Sequence, residues 1–229
     1  MIAGGTIKSI EVVQLINTNC TPSFGQLTSG REGAVGAMLG NTPILCGGGY
    51  GNTYFDSCIS FLNFQWSLSY SMNWRRWYPG GVQINSTTFW ILGGGYGLGP
   101  NNWASDSTEF IIQGQTNGVP GPKLPYVLRA MCAVKFSEKD IFVIGGSSNG
   151  GSSNEVWIYD SQNEFARNQG PSLNIKRRAH SCRLTNRQDS LTFTDISDFI
   201  KTTLVIRAYV YLVLEIVIKD TGHLYKYYM

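Results

Sequence analysis

The chain has 229 residues, a net charge of +3 and a charged fraction of only 14%. So few charges exclude a helical bundle, whose solvent-facing surfaces are rich in charged residues. The small net charge excludes the concentrated basic surface of most nucleic-acid-binding proteins. The 27 glycines favour an all-β protein with many turns. Because the amino terminus lacks a secretory leader, the sequence predicts a cytoplasmic protein by default, or a secreted parent if the amino-terminal end is truncated.

Four apolar segments that end in a pair of glycines recur between residues 1 and 182. Their first glycines are Gly4, Gly47, Gly93 and Gly145. The spacings of 43, 46 and 52 residues are too regular for chance, and a short β-prone run follows each pair. A unit of about 40–50 residues that holds four short strands is typical of one blade of a β-propeller.

One of these segments, WILGGGYGLG at residues 90–99, has the glycine content of a phosphate-binding loop. Such a loop opens a helix whose amino terminus faces the phosphate. No helical pattern follows Gly99, and no Gly-Lys-Ser/Thr sequence follows any of the glycine clusters. We therefore interpret the segment as the end of a strand, where glycine permits a positive φ and the close approach of the next sheet.

An arginine precedes the leading strand of each later unit. Arg31 and Arg129 lie 16 residues before the next glycine pair, Arg76 lies 17 before it, and Arg178 lies in the last unit. Two interpretations are open. Each guanidinium bonds carbonyls or a glutamate of its neighbouring blade, or the four form a positive ring at one mouth of the propeller, suited to an acidic peptide or an anionic ligand. Together with Tyr78, which belongs to an aromatic cluster beside Arg76, these arginines are the candidate binding residues.

Few residues suit catalysis. The recurring acids Glu11, Glu109 and Glu155 are single carboxylates, which favours salt-bridge or turn partners over acid–base catalysts. The chain has two histidines, and we interpret His180 as a structural hydrogen-bonding residue between strands. The sequence therefore predicts no catalytic residues, no metal site and no cofactor.

The five cysteines form no C-x-x-C pair, which disfavours a zinc ribbon. Their odd number argues against a fully paired secreted framework, and their disulfide state stays open. Two tripeptides, Asn19-Cys20-Thr21 and Asn85-Ser86-Thr87, match the N-glycosylation acceptor pattern. Such tripeptides often arise by chance and carry little weight by themselves.

Residues 129–182 hold the most complete unit, RAMCAVKFSEKDIFVIGGSSNGGSSNEVWIYDSQNEFARNQGPSLNIKRRAHSC. An arginine, a strand that ends in two glycines, and the run EVWIYD follow one another in an order that resembles the kelch repeat. The resemblance covers about residues 1–182, in units beginning near 1, 31, 75 and 129. It implies an all-β fold: an incomplete kelch-type β-propeller of about four four-stranded antiparallel blades, with a divergent C-terminal tail.

The tail, residues 183–229, is β-rich but loses the repeat. A fifth glycine pair belongs near residues 194–195, where the chain has Thr-Asp. Residues 202–218 are apolar, yet Arg207 and Glu215 within them each cost about 2.5–3.5 kcal/mol near a bilayer centre. Membrane contact is therefore not expected. The tail either supplies one or two strands that complete or cap the last blade, or has no evolved role.

The kelch resemblance implies a protein-interaction scaffold that is not an enzyme. We expect the partner to be a protein or peptide, possibly acidic, bound through loops at the propeller mouth, with no nucleic acid involved. Two alternatives stay open. One is a propeller enzyme or carbohydrate-binding domain acting on a small molecule, and the other is a truncated fragment without function.

Overall fold

The structure is a computed structural model. It describes the backbone of residues 2–3, 10–14, 19–22, 27–96, 103–149, 151–185, 190–195, 203–208, 214–220 and 223–228. Side chains are described for residues 27–95, 104–149 and 151–182. Every regular element within these ranges is a β-strand, and none is a helix. The chain divides into two compact units, Met1–Ala130 and Met131–Met229.

The strands of the first unit form antiparallel sheets that follow one another along the chain. The first sheet has the order β1 (Ile2–Ala3), β2 (Ile10–Gln14) and β3 (Asn19–Pro22). The second has β4 (Glu32–Leu39), β5 (Thr42–Tyr50), β6 (Thr53–Tyr54), β7 (Ser57–Leu62) and β8 (Gln65–Ser71), with β6 paired to the end of β5. The third sheet and a two-stranded ribbon are built from β9 (Gly80–Asn85), β10 (Thr88–Leu92), β11 (Gly95–Tyr96), β12 (Trp103–Ala104), β13 (Thr108–Ile112) and β14 (Val119–Pro120). The order in the third sheet is β14-β13-β10-β9, and β11 pairs with β12.

The second and third sheets share a hydrophobic core. Side chains alternate between the two faces of a strand, so Ile44 and Cys46 of β5 face one side and Leu45 faces the other. The shared core consists of Leu39, Ile44, Cys46, Cys58 and Met72 packed with Phe89, Ile91 and Ile111. The opposite face of the second sheet holds a separate cluster of Leu27, Leu45, Ile59 and Trp66. The second sheet is therefore apolar on both faces, as expected for a sheet that stacks between two others.

The second unit continues the same pattern. Its first strands are β15 (Cys132–Lys135), β16 (Asp140–Ile144), β17 (Ser147–Ser148), β18 (Gly151–Ser152), β19 (Val156–Asp160) and β20 (Ala166–Gln169). The four-stranded sheet has the order β15-β16-β19-β20, and β17 pairs with β18 as a short ribbon. Ile144, Val156 and Leu173 form the buried centre of a core against this sheet.

The C-terminal tail joins a sheet rather than standing apart. The strands β21 (His180–Thr185), β22 (Ser190–Asp195), β23 (Thr203–Ala208), β24 (Leu214–Asp220) and β25 (His223–Tyr228) form a five-stranded antiparallel sheet in chain order. The predicted boundary at residue 182 falls inside β21. Where a glycine pair was expected, Asp195 ends β22 opposite His180. Among the residues that the structure describes, no helix has the length and apolarity that crossing a bilayer requires.

The paired glycines lie near the ends of strands and contact the backbone of the next repeat unit. Gly47 and Gly145 have φ of +68° and +60°. A Cβ would lie 2.5 Å from the Arg76 carbonyl oxygen at the first position and 2.7 Å from the Arg177 carbonyl oxygen at the second. β10 ends at Leu92, and no helix follows Gly93 among the described residues up to Tyr96. The interpretation as a strand end is therefore confirmed. The remaining glycine pair of the repeat, at Gly4, lies outside the described residues.

We expect Gly47→Ala to destabilise the protein far more than Gly51→Ala. Both glycines have a positive φ, which costs about 1–2 kcal/mol for alanine, but a Cβ at Gly51 meets nothing within 4 Å. Overpacking against the Arg76 carbonyl adds about 1–3 kcal/mol for Gly47→Ala. Urea unfolding of the two variants measures the difference. Equal losses would show that the close approach of the backbone is unimportant.

Four of the five cysteines form two disulfides. Cys46 and Cys58 lie directly opposite each other on β5 and β7. Cys132 of β15 and Cys182 of β21 join the leading strands of two consecutive sheets of the second unit. The side chain of Cys20 lies outside the described residues. The disulfide state that the sequence left open is therefore two pairs and one further cysteine, which agrees with the odd count.

Candidate binding surface

A repeated hydrogen bond marks where each repeat unit of about 40–50 residues begins; these repeat units are distinct from the two compact units of the chain. In the three pairs that the structure describes, the second glycine donates its backbone N–H to a carbonyl of the next repeat unit. The donor and acceptor residues are Gly48 and Arg76 at 2.8 Å, Gly94 and Leu128 at 2.9 Å, and Gly146 and Arg177 at 2.7 Å. Arg76, Leu128 and Arg177 thus occupy equivalent positions.

Arg31 and Arg76 are held inside their sheets. Arg31 is 4% exposed and donates from Nη1 to the carbonyl oxygens of Gly47 and Ser57, at 2.8 and 2.9 Å. Arg76 is fully buried and donates from Nη1 to the carbonyl oxygens of Gly93 and Ser107. Each guanidinium therefore links two neighbouring strands of its own sheet. This supports the interpretation in which the arginines bond carbonyls.

Only one of these two arginines has a bonded carboxylate. Glu109, itself 1% exposed, accepts hydrogen bonds from Nε and Nη2 of Arg76 at 3.0 and 2.8 Å. Burial lowers the pKa of Arg76, and the Glu109 carboxylate opposes that shift. Burial lowers the pKa of Arg31 to about 10, which the charge of Asp56 partly opposes. The Arg31 guanidinium instead lies 4.3 Å from the ring centroid of Phe55.

Arg129 and Arg178 lie one residue beyond the buried position. Leu128 and Arg177, at 1% and 7% exposure, occupy that position in their units. Arg129 is half-buried, with its guanidinium carbon 6.0 Å from the ring centroid of Trp77, and Arg178 is exposed. The four predicted arginines therefore do not occupy equivalent positions. Their role in ligand binding stays a prediction, and burial leaves Arg31 and Arg76 no contact with a ligand at the surface.

Three aromatic rings cluster near the glycines at the end of β5, and Arg129 lies beside them. The ring centroids of Tyr54 and Trp77 are 5.7 Å apart, and those of Trp77 and Tyr78 are 4.7 Å apart. Glycine at position 33 makes room for the cluster, because a Cβ there would lie 2.9 Å from the Tyr78 ring. β6, which carries Tyr54, and the loop of Trp77 are thereby packed together by their side chains.

A partly buried hydrogen bond fixes Tyr78 further. Its hydroxyl donates to Oε1 of Glu32 at 2.7 Å. Burial, followed by the hydrogen bond and charge of Glu32, raises the pKa of Tyr78 to about 12, although the charge of Arg129 acts in the other direction. The hydroxyl oxygen of Tyr54 is also buried and has no hydrogen-bond partner in the described part of the chain.

We expect the stability of the protein to fall as the pH rises from about 10 to 12, partly through Tyr78. The tyrosine pKa is ~10 in an unfolded chain and about 12 in the folded protein. The unfolded state therefore loses its proton first, and the stabilisation present below pH ~10 disappears above it. Tyr78→Phe should remove this part of the pH dependence. Denaturant unfolding on both sides of pH ~10 measures it, and Tyr50→Phe, at a residue 49% exposed, is the control that should change nothing.

Exposed residues surround this cluster. Trp74 is 57% exposed, and the Arg75 side chain is 64% exposed and 3.9 Å from Asp56. Their loop is tied to the loop after β6 because the Arg76 N–H donates to the Phe55 carbonyl at 3.1 Å. We call the combined patch the aromatic–arginine surface; it comprises Tyr50, Tyr54, Trp74, Arg75, Trp77, Tyr78 and Arg129.

Sequence reasoning identified the cluster around Arg76 but missed Tyr50 and Tyr54. A signal was present for Tyr50, because the glycine runs GGGYG at 47–51 and 93–97 both carry a tyrosine after the third glycine.

The structure describes two of the three acids that the sequence predicts to be structural. Glu109 bonds Arg76, and Glu155 accepts a hydrogen bond from Nε1 of Trp157 at 3.1 Å. The side chain of Glu11 lies outside the described residues. Within the described side chains, no group of three or more His, Cys, Asp or Glu residues could hold a metal ion.

The family comparison locates one repeat. Residues 128–165 match the model described as the Kelch motif. The chain carries a kelch motif. The matched kelch segment begins at Leu128, the residue that the Gly94 N–H marks as the start of its unit. The kelch motif and the hydrogen-bond repeat thus begin at the same residue, and the resemblance seen in the sequence is confirmed for this repeat.

A solved structure has the same fold. The chain is similar to the structure titled "Structure of YjhT", with a TM-score of 0.74 over 93% of this chain and 76% of that chain. The sequence identity is 11%, so the likeness concerns the fold alone. Together with the four-stranded antiparallel sheets, it confirms the predicted fold class, an all-β incomplete kelch-type propeller. No curated protein matches the sequence.

Proposed function

We propose that this kelch chain is a non-catalytic interaction module, which binds a partner protein or peptide through the aromatic–arginine surface. The observation that carries the proposal is the exposure of Trp74 and Arg75 on a loop whose base is fixed. Trp, Tyr and Arg are the residues that dominate the binding energy of protein interfaces. A tryptophan that is 57% exposed offers a large apolar area for a partner to cover.

The loop is held in place before any partner binds. Arg76, between Arg75 and Trp77, is fully buried and bonded to Glu109. The Trp77 N–H and carbonyl both bond to Gly95, at 2.7 and 2.8 Å. A fixed loop loses little conformational entropy on binding, which leaves more of the contact energy for affinity.

The charges favour a partner with a carboxylate beside an apolar side chain. The Arg75–Asp56 pair is exposed on both sides, at 64% and 56%, and such pairs contribute only about 0–1 kcal/mol. Arg75 can therefore leave Asp56 for a partner carboxylate at little cost. Arg129 lies over Trp77 and adds a second positive charge to the surface.

Photo-crosslinking tests the proposal. A photoreactive amino acid replaces Trp74 in one full-length variant and Asn41 in the control variant, since Asn41 is exposed in the β4–β5 turn at the opposite end of the second sheet. We expect a discrete crosslinked partner from position 74 only, and its loss when Arg75→Ala is added. Equal crosslinking from both positions, or capture that Arg75→Ala leaves unchanged, contradicts the proposal.

A further inference from the structure

We propose that Asn85 is an N-glycosylation site, modified when the chain folds in an oxidising secretory compartment. The reaction forms a bond between Nδ2 of Asn85 and the anomeric carbon of an oligosaccharide donated by a lipid-pyrophosphate carrier. The bond from that carbon to the pyrophosphate oxygen breaks, the lipid pyrophosphate leaves, and the Asn85 amide proton passes to a base of the transferase.

The acceptor tripeptide occupies a hairpin tip. Asn85 ends β9, and Ser86 and Thr87 form the two-residue turn before β10. All three residues are exposed. An acceptor tripeptide in a surface turn is the arrangement in which a bulky glycan fits the folded protein. By contrast, Asn19 begins β3 and is paired with Gln14 of β2.

The side chain of Asn85 has its reactive nitrogen unengaged. Its Oδ1 accepts hydrogen bonds from the backbone N–H and the hydroxyl of Thr87, at 2.9 and 3.0 Å. Nδ2 donates to no group in the described part of the chain. Attachment of a sugar at Nδ2 therefore breaks none of the bonds that shape the turn. Donors at Oδ1 also make the amide N–H more acidic, and the reaction removes that proton.

The disulfides supply an independent argument for the compartment. Disulfides form and persist in secretory and extracellular environments and are rare in the cytosol. The pairs Cys46–Cys58 and Cys132–Cys182 lie in different compact units, so each unit has its own. The compartment that forms these bonds is also the one in which asparagine receives its glycan. The default expectation of a cytoplasmic protein stays untested, and both features favour a secreted protein instead.

A glycan at Asn85 leaves the aromatic–arginine surface open. β10 runs from Thr88, beside the acceptor turn, to Leu92, beside the glycine pair at Gly93. At about 3.4 Å per residue, the strand separates the two ends of the sheet by on the order of 17 Å. The modification and partner binding are therefore compatible on one molecule.

The test is expression of the full chain behind a cleavable secretory leader in eukaryotic cells, with glycosidase digestion of the total cell protein. We expect glycosidase digestion to produce one discrete increase in electrophoretic mobility, and we expect this step to be absent in Asn85→Gln and in Thr87→Ala. The step should persist in Thr87→Ser, which keeps the hydroxyl, in Ser86→Ala, and in Asn19→Gln. Because total cell protein is digested, the glycan is detected even in a variant that is not exported.

Peptide mapping of the chain recovered from its natural source completes the test. Release of the glycan by a glycosidase that converts asparagine to aspartate should mark residue 85. The proposal is overturned if the step survives in Asn85→Gln. It is equally overturned if the leader is removed and both disulfides form while residue 85 remains unmodified.

Discussion

Arg76→Ala should lower the free energy of unfolding by about 3–5 kcal/mol, as expected when one partner of a buried ion pair is removed. Arg76 and Glu109 are 0% and 1% exposed in their side chains, with 2.8 Å between Nη2 and Oε1. Without the guanidinium, the hydrogen bonds that described residues still donate to the Glu109 carboxylate are the two from Asn73 to Oε2. The carbonyls of Gly93 and Ser107 lose a donor as well. Denaturant unfolding measures the loss.

The neighbouring Arg75 provides the matched control. Arg75→Ala removes the same side-chain type one residue earlier, but from an exposed pair with an N–O distance of 3.9 Å. Such a pair contributes about 0–1 kcal/mol. Similar losses for the two variants would contradict the structural role of Arg76. The double variant Arg76→Met with Glu109→Leu separates charge burial from packing, since removal of both charges should cost less than removal of either one.

This expectation also changes how the binding surface must be tested. An Arg76 variant that loses a partner would do so because the fold is weakened, whereas Trp74 and Arg75 are exposed and separable from the core. Of the four arginines of the predicted ring, Arg129 lies beside the aromatic cluster. Arg75, which was not one of the four, adds an exposed positive charge near it.

The repeat was visible in the sequence because glycine is required where a Cβ would strike the next unit. At Gly47 the nearest atom to that Cβ is a backbone oxygen, which no side-chain adjustment can move away. Periodic glycines thus report a periodic backbone contact, and the fold class followed from them. The acceptor residue of the contact can vary, since it takes part through its carbonyl and not through its side chain.

That freedom explains the error of one residue at Arg129 and Arg178. The position that Arg76 occupies in one unit is filled by Leu128 in another, and the sequence places an arginine immediately after it. The spacing of 16 residues from Arg31 to Gly47 and from Arg129 to Gly145 was therefore a coincidence. The sequence also aligned Glu155 with Glu109. The Gly145 N–H bonds the Glu155 carbonyl, whereas the Gly93 N–H bonds the Ser107 carbonyl. Glu155 is therefore equivalent to Ser107 and not to Glu109.

Disulfide pairing could not be derived from the sequence because it depends on strand register. Cys46 and Cys58 pair only because β5 and β7 place them directly opposite. Cys132 and Cys182 are 50 residues apart and meet because the leading strands of consecutive sheets are neighbours. Neither arrangement leaves a spacing motif comparable to C-x-x-C.

Loss of the Cys132–Cys182 disulfide is the second large effect that we expect. Replacing both residues by alanine releases a loop of 50 residues, and the entropy of closing such a loop in the unfolded chain is worth about 4 kcal/mol. The effect should be concentrated in Met131–Met229, because both cysteines lie in that unit. Hydrogen exchange should therefore accelerate at the amides of β15 and β21 while those of β9 and β10 stay protected. The Cys46–Cys58 loop has a separation of 12, for which the same model gives about 3 kcal/mol.

Reduction provides the control for this comparison. In the presence of a thiol reductant, the natural sequence loses both disulfides and the double-alanine variant loses Cys46–Cys58, so the two proteins then differ only in two side chains. If the stabilisation comes from the crosslink, their denaturant midpoints should converge under reducing conditions and differ under oxidising ones. A difference that survives reduction would assign the loss to side-chain packing at Cys132, which is 9% exposed. Unchanged stability under both conditions would show that the closed loop does not constrain the unfolded chain.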